Sequence, residues 1–128
     1  MENEKSALGL DGNVTALIGY LIPLVALILI FIEKDNKFVR FHSFQSILWV
    51  AGSIVAVIVL AILAVILGVV FSMVSSTLGT LVGGLFFLIY IVWFFAYIGG
   101  LIYGAIKSFG GSMFKLPVVG SMAEKWSA

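Results

Sequence analysis

The sequence predicts an all-α membrane protein, a polytopic bundle of transmembrane helices, and three observations support this. Hydrophobic residues make up 62% of the 128 residues and charged residues only 10%. Between Arg40 and Lys107 there is no Asp, Glu, Lys or Arg. The apolar stretches are continuous, whereas the strands of a transmembrane barrel alternate apolar and polar residues. Because lipid offers no hydrogen-bond partner to the backbone, helices are the expected form of such stretches.

Three apolar stretches are long enough to cross a bilayer, for which a helix needs about 20 residues. They are residues 14–32, 44–71 and 81–106. The second would form a helix of roughly 42 Å, longer than a hydrocarbon core of roughly 30 Å, so it is expected to tilt or to project. We therefore predict a transmembrane helical domain at 14–106, between a polar N-terminal tail at 1–13 and a C-terminal tail at 107–128.

The basic residues predict the orientation, because Lys and Arg near the ends of spans are enriched on the cytoplasmic side. With three spans, the basic loop 33–43 and the tail 107–128 share one side and carry six basic residues, against Lys5 alone on the other. The N-terminus is therefore predicted outside and the C-terminus in the cytoplasm. A four-span alternative divides residues 44–106 into three pieces. It ranks second because it puts the two basic clusters on opposite sides.

Pro23 lies inside the first predicted span. Proline has no N–H, and its ring clashes with the carbonyl four residues earlier, which is that of Gly19. A kink is therefore expected here. Membrane helices tolerate proline, so the kink needs no functional explanation. The alternative is a hinge, or a carbonyl that lines a pathway.

The segment IEKDNKFVRFHSFQS, which joins the first two spans, is the most distinctive in the chain. Phenylalanines recur every three residues, which places them on one side of a helical turn against the membrane. Candidate contacts to a partner or to lipid headgroups are Lys34, Lys37, Arg40, His42 and Gln45. We expect Arg40 and His42 to be exposed donors and Gln45 to hold the loop to the bundle. The alternative is a charged connector that only fixes topology.

Small residues recur every four positions along the second and third spans, a pattern that lets helix backbones approach closely in lipid. The candidate helix-packing residues are Ala64, Gly68, Ser72, Ala96, Gly100 and Gly104. Packing within one chain is the favoured interpretation, and an interface between copies is the alternative. In the tail, Pro117 is a candidate first residue of a short interfacial helix anchored by Trp126. The alternative is a poorly ordered terminus.

The residues give no indication of an enzyme. The chain has no cysteine and one histidine, so thiolate chemistry and disulfides are excluded, and the sequence indicates no metal site and no cofactor. A net charge of +1 gives no reason to expect nucleic acid as a partner. No charged residue lies inside the predicted second and third spans, which argues against an ion-coupled carrier.

The loop IEKDNKFVRFHSFQS and the tail KLPVVGSMAEKW together resemble a family of small uncharacterised prokaryotic membrane proteins. That family is distantly similar to the membrane component of the chloroplast Tic import translocon. The resemblance implies a multi-pass protein of a prokaryotic cell membrane, with a role near protein translocation.

Three functions remain as expectations. The first is a non-enzymatic accessory or scaffold subunit of a membrane complex, suggested by the small size and the small-residue helix faces. The second is a homo-oligomeric channel or solute pore, because three helices from one copy are too few to enclose a polar path. The third is a lipid-interacting protein that places its basic loop against anionic headgroups. The expected partners are accordingly membrane lipids and another membrane protein or a second copy.

Overall fold

The computed structural model describes residues 4–128, and the elements in that range are helices. They are α1 (Gly12–Leu21), α2 (Pro23–Ile32), α3 (Lys37–Val74), α4 (Ser76–Phe109) and α5 (Val119–Trp126). The extended contact within the described residues is an isolated bridge between Lys5 and Asp11. The predicted all-α class is therefore confirmed.

The chain forms two compact units. The first, unit 1, contains the described residues up to Ala51 together with Ile98–Ala128. The second, unit 2, is Gly52–Tyr97. The buried polar side chains lie almost entirely in unit 1, whereas unit 2 is apolar and largely exposed. The candidate site therefore belongs to unit 1.

The predicted first span is not one helix. Ile22 leaves the helical region with φ −128° and ψ 87°, and it separates α1 from α2, which have 10 residues each. The two helices fold back on each other, because a Cβ at Gly19 would lie 3.5 Å from the Cβ of Ala26. Each helix is about 15 Å long, which is half of a roughly 30 Å hydrocarbon core. Residues 14–32 are thus a helical hairpin with Pro23 at the start of its second arm.

Helices α3 and α4 are the two helices in residues 4–128 that are long and apolar enough to cross a membrane. They have 38 and 34 residues, or about 57 and 51 Å of helix. Neither the predicted three spans nor the alternative four therefore appear as long helices in this range. Helix α3 begins at Lys37, so only Glu33–Asn36 remain of the predicted loop 33–43.

Unit 2 is a pair of helical arms joined through Ser75. The Ser75 hydroxyl accepts a hydrogen bond of 3.1 Å from the backbone N–H of Leu78, which satisfies a free donor in the first turn of α4. The side chain of Ser72 lies directly against Gly79. A Cβ at Gly79 would collide with the Ser72 hydroxyl, so the close approach needs glycine there. Residues 72–80, which separate the predicted second and third spans, therefore hold a tight turn at Ser75 and not a longer connection.

The described part of the predicted tail 1–13 packs against the hairpin, while residues 1–3 lie outside the described residues. Lys5 Nζ forms an ion pair of 2.7 Å with Asp11. The buried hydroxyls of Ser6 and Thr15 share a hydrogen bond of 2.7 Å. The N-terminal segment is thus fixed to the first turn of α1 from Lys5 onward.

The C-terminal tail returns to the start of α3. Val118 has φ 68° and ψ −56°, and the N–H of Val119 donates to the carbonyl of Pro117 at 2.7 Å. This three-residue turn is strained for a β-branched residue. The backbone of Lys115 lies so close to Gly120 that a Cβ would collide with it. Helix α5 therefore begins at Val119 and not at the predicted Pro117.

Candidate functional site: a buried polar network in unit 1

Three polar side chains lie at the centre of unit 1 and contact one another. Tyr20, His42 and Gln45 have 0%, 1% and 0% of their surface exposed. Tyr20 comes from α1, while His42 and Gln45 lie on α3, three residues apart and so on neighbouring positions of one helix face. Buried polar groups are costly unless they are paired, so their partners decide what this cluster does.

Gln45 is the centre of the network. Its Nε2 donates to the Tyr20 hydroxyl at 2.7 Å and to the carbonyl of Phe114 at 2.9 Å. Its Oε1 accepts from the N–H of Leu116 at 2.8 Å. One amide thus uses both hydrogens and its oxygen to join α1, α3 and the non-helical segment before α5. That Gln45 holds the loop 33–43 to the bundle stays a prediction, and the contacts found here join Gln45 to α1 and to the segment before α5.

The hydrogen-bond partners of His42 indicate which of its ring nitrogens carries the hydrogen. Its Nε2 lies 2.9 Å from the carbonyl oxygen of Ser112, which can only accept, so Nε2 carries a hydrogen. Its Nδ1 lies 2.7 Å from the hydroxyl of Tyr20. Because that hydroxyl oxygen already accepts from Gln45, its own hydrogen points to Nδ1. The neutral imidazole with its hydrogen on Nε2 satisfies all of these contacts.

Ser46 serves the backbone acceptor that the hairpin break exposes. In a continuous helix the carbonyl of Gly19 would accept from residue 23, but Pro23 has no N–H. The Ser46 hydroxyl donates to the Gly19 carbonyl at 2.8 Å, and Ser46 is fully buried. The sequence predicted the freed carbonyl, and α3 supplies its partner.

Glu33 and Asn36 form a second buried cluster between α2 and α3. The carboxylate of Glu33 accepts from the N–H of Ala7 at 2.6 Å and from the N–H groups of Asp35 and Asn36 at 3.3 and 3.1 Å. The Asn36 Oδ1 accepts from the N–H groups of Phe38 and Val39, which caps α3. The carboxylate thus lies beside the N-terminal end of α3, where backbone N–H groups have no partner within the helix.

Arg40 and His42 are not the exposed donors that the sequence predicts. His42 is buried, and Arg40 is partly buried with its Nη1 donating to the carbonyl of Glu33 at 2.7 Å. Its Nε donates to the carbonyl of Ser127 at 3.3 Å, and its guanidinium lies 5.5 Å from the ring centroid of Phe44. Both residues act inside unit 1 because α5 and the segment before it cover this face of α3. Lys34 and Lys37, in contrast, are exposed.

The candidate packing residues fall into two groups. In unit 1, the ring of Tyr20 lies on Gly104, where a Cβ would come within 2.6 Å of a ring carbon. The indole of Trp49 lies closer still to Gly100. In unit 2, a Cβ at Gly68 would meet nothing within 4 Å. The remaining candidates in α3 and α4 are Ala64, which is partly buried, and Ser72 and Ala96, which are exposed.

Sequence reasoning missed several members of the site: Tyr20, Ser46, Glu33 and Asn36. A signal existed for some of them. Asn36 precedes a helix and is a residue that caps helices, and Ser46 follows Gln45 in a charge-free stretch where polar residues need partners. In residues 4–128, two buried polar side-chain atoms have no hydrogen-bond partner, Ser43 Oγ and Trp93 Nε1. The polar atoms of Tyr20, His42 and Gln45 therefore all have hydrogen-bond partners within the chain, and the network's role in unit 1 is structural.

Comparisons with known proteins find similarity over nearly the whole chain. A family described as magnetosome magnetite crystal formation proteins matches residues 6–123. A UPF0132 membrane protein of Methanocaldococcus jannaschii is 36% identical over 129 residues, covering 96% of this chain and 94% of the relative. A second one from that organism is 34% identical, covering 94% and 73%. One from Archaeoglobus fulgidus is 32% identical, covering 88% and 92%. No solved structure matches significantly.

These relatives support one part of the expected resemblance. They are named as membrane proteins and come from archaea, which agrees with a family of small prokaryotic membrane proteins. They give no support to the expected similarity to the Tic translocon. The chain belongs to the family of magnetosome magnetite crystal formation proteins.

Proposed function

We propose that this protein is a non-enzymatic subunit of a membrane complex that crosses the membrane twice, with both termini in the cytoplasm. One observation carries the membrane assignment. Within the most apolar 18-residue windows of α3 and α4, 0% and 11% of the residues are buried by the rest of the chain. An exposed apolar surface of this size needs lipid or another apolar partner to cover it.

The distribution of charge supports the orientation. Among the described residues, all 7 Lys and Arg residues and every Asp and Glu fall in unit 1, and unit 2 has neither. Two spans place the N- and C-terminal ends on one side, and the positive-inside rule makes that side cytoplasmic. This replaces the predicted external N-terminus, which required residues 14–32 to cross the membrane.

Unused small-residue faces favour a subunit over an isolated anchor. In unit 2, an added Cβ at Gly68, Gly83 or Gly84 would meet no atom within 4 Å. Glycine in a helix interior costs roughly 1 kcal/mol against alanine, so positions that nothing in the chain fills need another reason. Close approach of a partner helix supplies that reason in lipid.

The polar groups support a non-enzymatic role. Both nitrogens of His42 and both carboxylate oxygens of Glu33 are engaged by groups of the chain itself. Asp11 pairs with Lys5, and Glu124 pairs with Lys115. The family description refers to magnetite crystal formation. For this chain we propose that any contribution to such a process is made by assembly in the membrane and not by holding iron.

The test of the subunit is the mass of the intact particle extracted in a mild detergent. We expect a particle larger than one chain, and we expect Gly68→Leu to release the single chain. Val70→Leu is the matched control, because Val70 is 50% exposed and lies on the opposite side of the same helix. A single chain from the unaltered protein would overturn the proposal. A particle made only of copies would redirect it to the channel alternative, which permeability of liposomes then tests.

The test of the two spans uses single cysteines, since the chain has none of its own. Thr77→Cys, beside the turn of unit 2, should react with a membrane-impermeant maleimide added to the outside of cells. Lys125→Cys should react only after permeabilisation. Reaction of both from the same side would refute the two-span topology.

A further inference from the structure

The α1–α2 hairpin has an apolar tip and a charged base, as expected of a hairpin that enters lipid and turns back. We propose that its tip lies among the acyl chains of the cytoplasmic leaflet and does not reach the other side. The proposal rests on the two-span topology, which makes the charged side of unit 1 cytoplasmic. It adds a lipid contact that the two spans do not require, and three features of the hairpin carry it.

The first feature is an exposed apolar tip. The side chains around the break are 59%, 52% and 65% exposed at Leu21, Ile22 and Leu24. Farther down the outer face of α2, Ile28 and Phe31 are 48% and 68% exposed. The inner face is packed, with Ala26 and Leu29 fully buried. A continuous apolar face of this kind is unfavourable in water and favourable against acyl chains.

The second feature is a polar base. Glu33 at the end of α2 accepts from Ala7, which precedes α1, and this closes the open end of the hairpin. Asn36 Nδ2 adds a hydrogen bond of 3.2 Å to the carbonyl of Glu4. The residues next to these contacts include Lys5, whose side chain is 70% exposed, and the exposed Lys34. Both ends of the hairpin are thus charged and lie together, while the tip is apolar.

The third feature is depth. Arms of about 15 Å cover at most half of a hydrocarbon core of roughly 30 Å. Gly19, next to the tip, contacts Ser46 of α3. Ser46 follows Arg40, the last charged residue before the apolar run, by six residues, which is about 9 Å along the helix. The tip therefore lies past the charged layer by less than one leaflet.

The break is compatible with a lipid environment. The N–H of Ile22 donates to the carbonyl of Ile18, and the N–H of Val25 donates to the carbonyl of Ile22, both at 2.8 Å. Pro23 has no N–H to satisfy, and the freed carbonyl of Gly19 has Ser46. Irregular backbone at membrane depth is tolerated where the protein itself satisfies it, and these groups of the break are satisfied in that way.

The test uses three single-cysteine variants of the full chain in vesicles: Lys5→Cys and Lys34→Cys at the base, and Leu24→Cys at the tip. A fluorophore on Leu24→Cys should be quenched by lipids with a nitroxide on the acyl chain and should resist aqueous iodide. Labels on the two base positions should respond to iodide. In intact cells, both base positions should be protected from an impermeant maleimide until the membrane is opened.

Each opposite outcome overturns the proposal. Lys5→Cys and Lys34→Cys on opposite sides would show that residues 14–32 cross the membrane. Quenching of the Leu24→Cys label by iodide would place the tip in water. Resistance to both quenchers would mean that protein, including a second copy, covers the tip. Failure of the two-span topology is recognised separately, because it appears at Thr77→Cys, which the hairpin does not affect.

Discussion

The Ser46 hydroxyl donates a hydrogen bond of 2.8 Å to the carbonyl oxygen of Gly19, the one acceptor that Pro23 leaves without a helical partner. The two residues lie on different helices, so this bond joins the tip of the α1–α2 hairpin to α3. It shows how a proline that breaks one helix can be accommodated by a side chain of another. The stability of the hairpin is therefore expected to depend on Ser46.

Replacing Ser46 by alanine should destabilise the fold by about 1–3 kcal/mol, because it leaves a buried carbonyl unpaired. Thermal unfolding in detergent, followed by circular dichroism, measures the loss. Ser121→Ala is the control, since Ser121 is exposed and its hydroxyl bonds only to Val118 in its own turn. Equal midpoints for the two variants would show that the Gly19 contact contributes nothing.

Gln45 is expected to hold the segment before α5 in place. Gln45→Leu removes the acceptor of the Leu116 N–H and the donor to the Phe114 carbonyl. Hydrogen exchange at the Leu116 amide should accelerate, because its bond to α3 is lost. Gln45→Glu keeps an acceptor for Leu116 and should leave that amide better protected than the leucine variant does. Unchanged exchange in both variants would mean that the segment is held by other contacts.

The hydrogen of His42 is expected on Nε2 at neutral pH. Nitrogen NMR of the histidine-labelled protein should show a protonated Nε2 and an unprotonated Nδ1. In Tyr20→Phe the hydroxyl that donates to Nδ1 is lost, so the Nδ1 resonance should shift while the Nε2 resonance, paired with Ser112, changes little. A protonated Nδ1 in the unaltered protein would contradict the direction of the network.

Gly104 and Gly99 lie on the same helix, and alanine should destabilise the protein at Gly104 but not at Gly99. A Cβ at Gly104 would come within 2.6 Å of the Tyr20 ring, whereas one at Gly99 would meet nothing within 4 Å. Overpacking should make Gly104→Ala less stable by about 1–3 kcal/mol. The better helix propensity of alanine should leave Gly99→Ala unchanged, or more stable by up to roughly 1 kcal/mol. A comparison of their unfolding midpoints measures the difference.

The sequence predicted the elements whose formation depends on local composition. The long apolar runs became α3 and α4, and the proline that was expected to kink the first span lies directly after the break. The reversal of the chain at Ile22 was not predictable in this way. It depends on the close approach of Gly19 to Ala26 and on Ser46, which is distant in sequence.

The burial of the expected site residues was also beyond local reasoning. Arg40 and His42 follow a charged run and so resemble exposed residues. Their partners include the backbone carbonyls of Ser127 and Ser112, which the chain reaches only after two long helices. A backbone carbonyl leaves no signal in the sequence. The same applies to Gly104, whose small-residue pattern indicated close packing without indicating that Tyr20 is its neighbour.

The hairpin should also make the protein sensitive to membrane curvature. Two extra helical arms in the cytoplasmic leaflet enlarge that leaflet alone, so convex curvature on that side should relieve the crowding, as it does for helices that insert at an interface. In tubes pulled from giant vesicles, molecules with the tail outward can be selected by an impermeant dye on Lys125→Cys. Their density should be higher on the tube than on the flat membrane.

Adding Leu21→Ser and Leu24→Ser should reduce this enrichment, because polar side chains at the tip withdraw from the acyl chains. Adding Leu85→Ser, at a position of unit 2 that is 57% exposed, is the control and should not reduce it. Equal densities on tube and flat membrane for the protein with both leucines intact would show that the tip does not expand one leaflet.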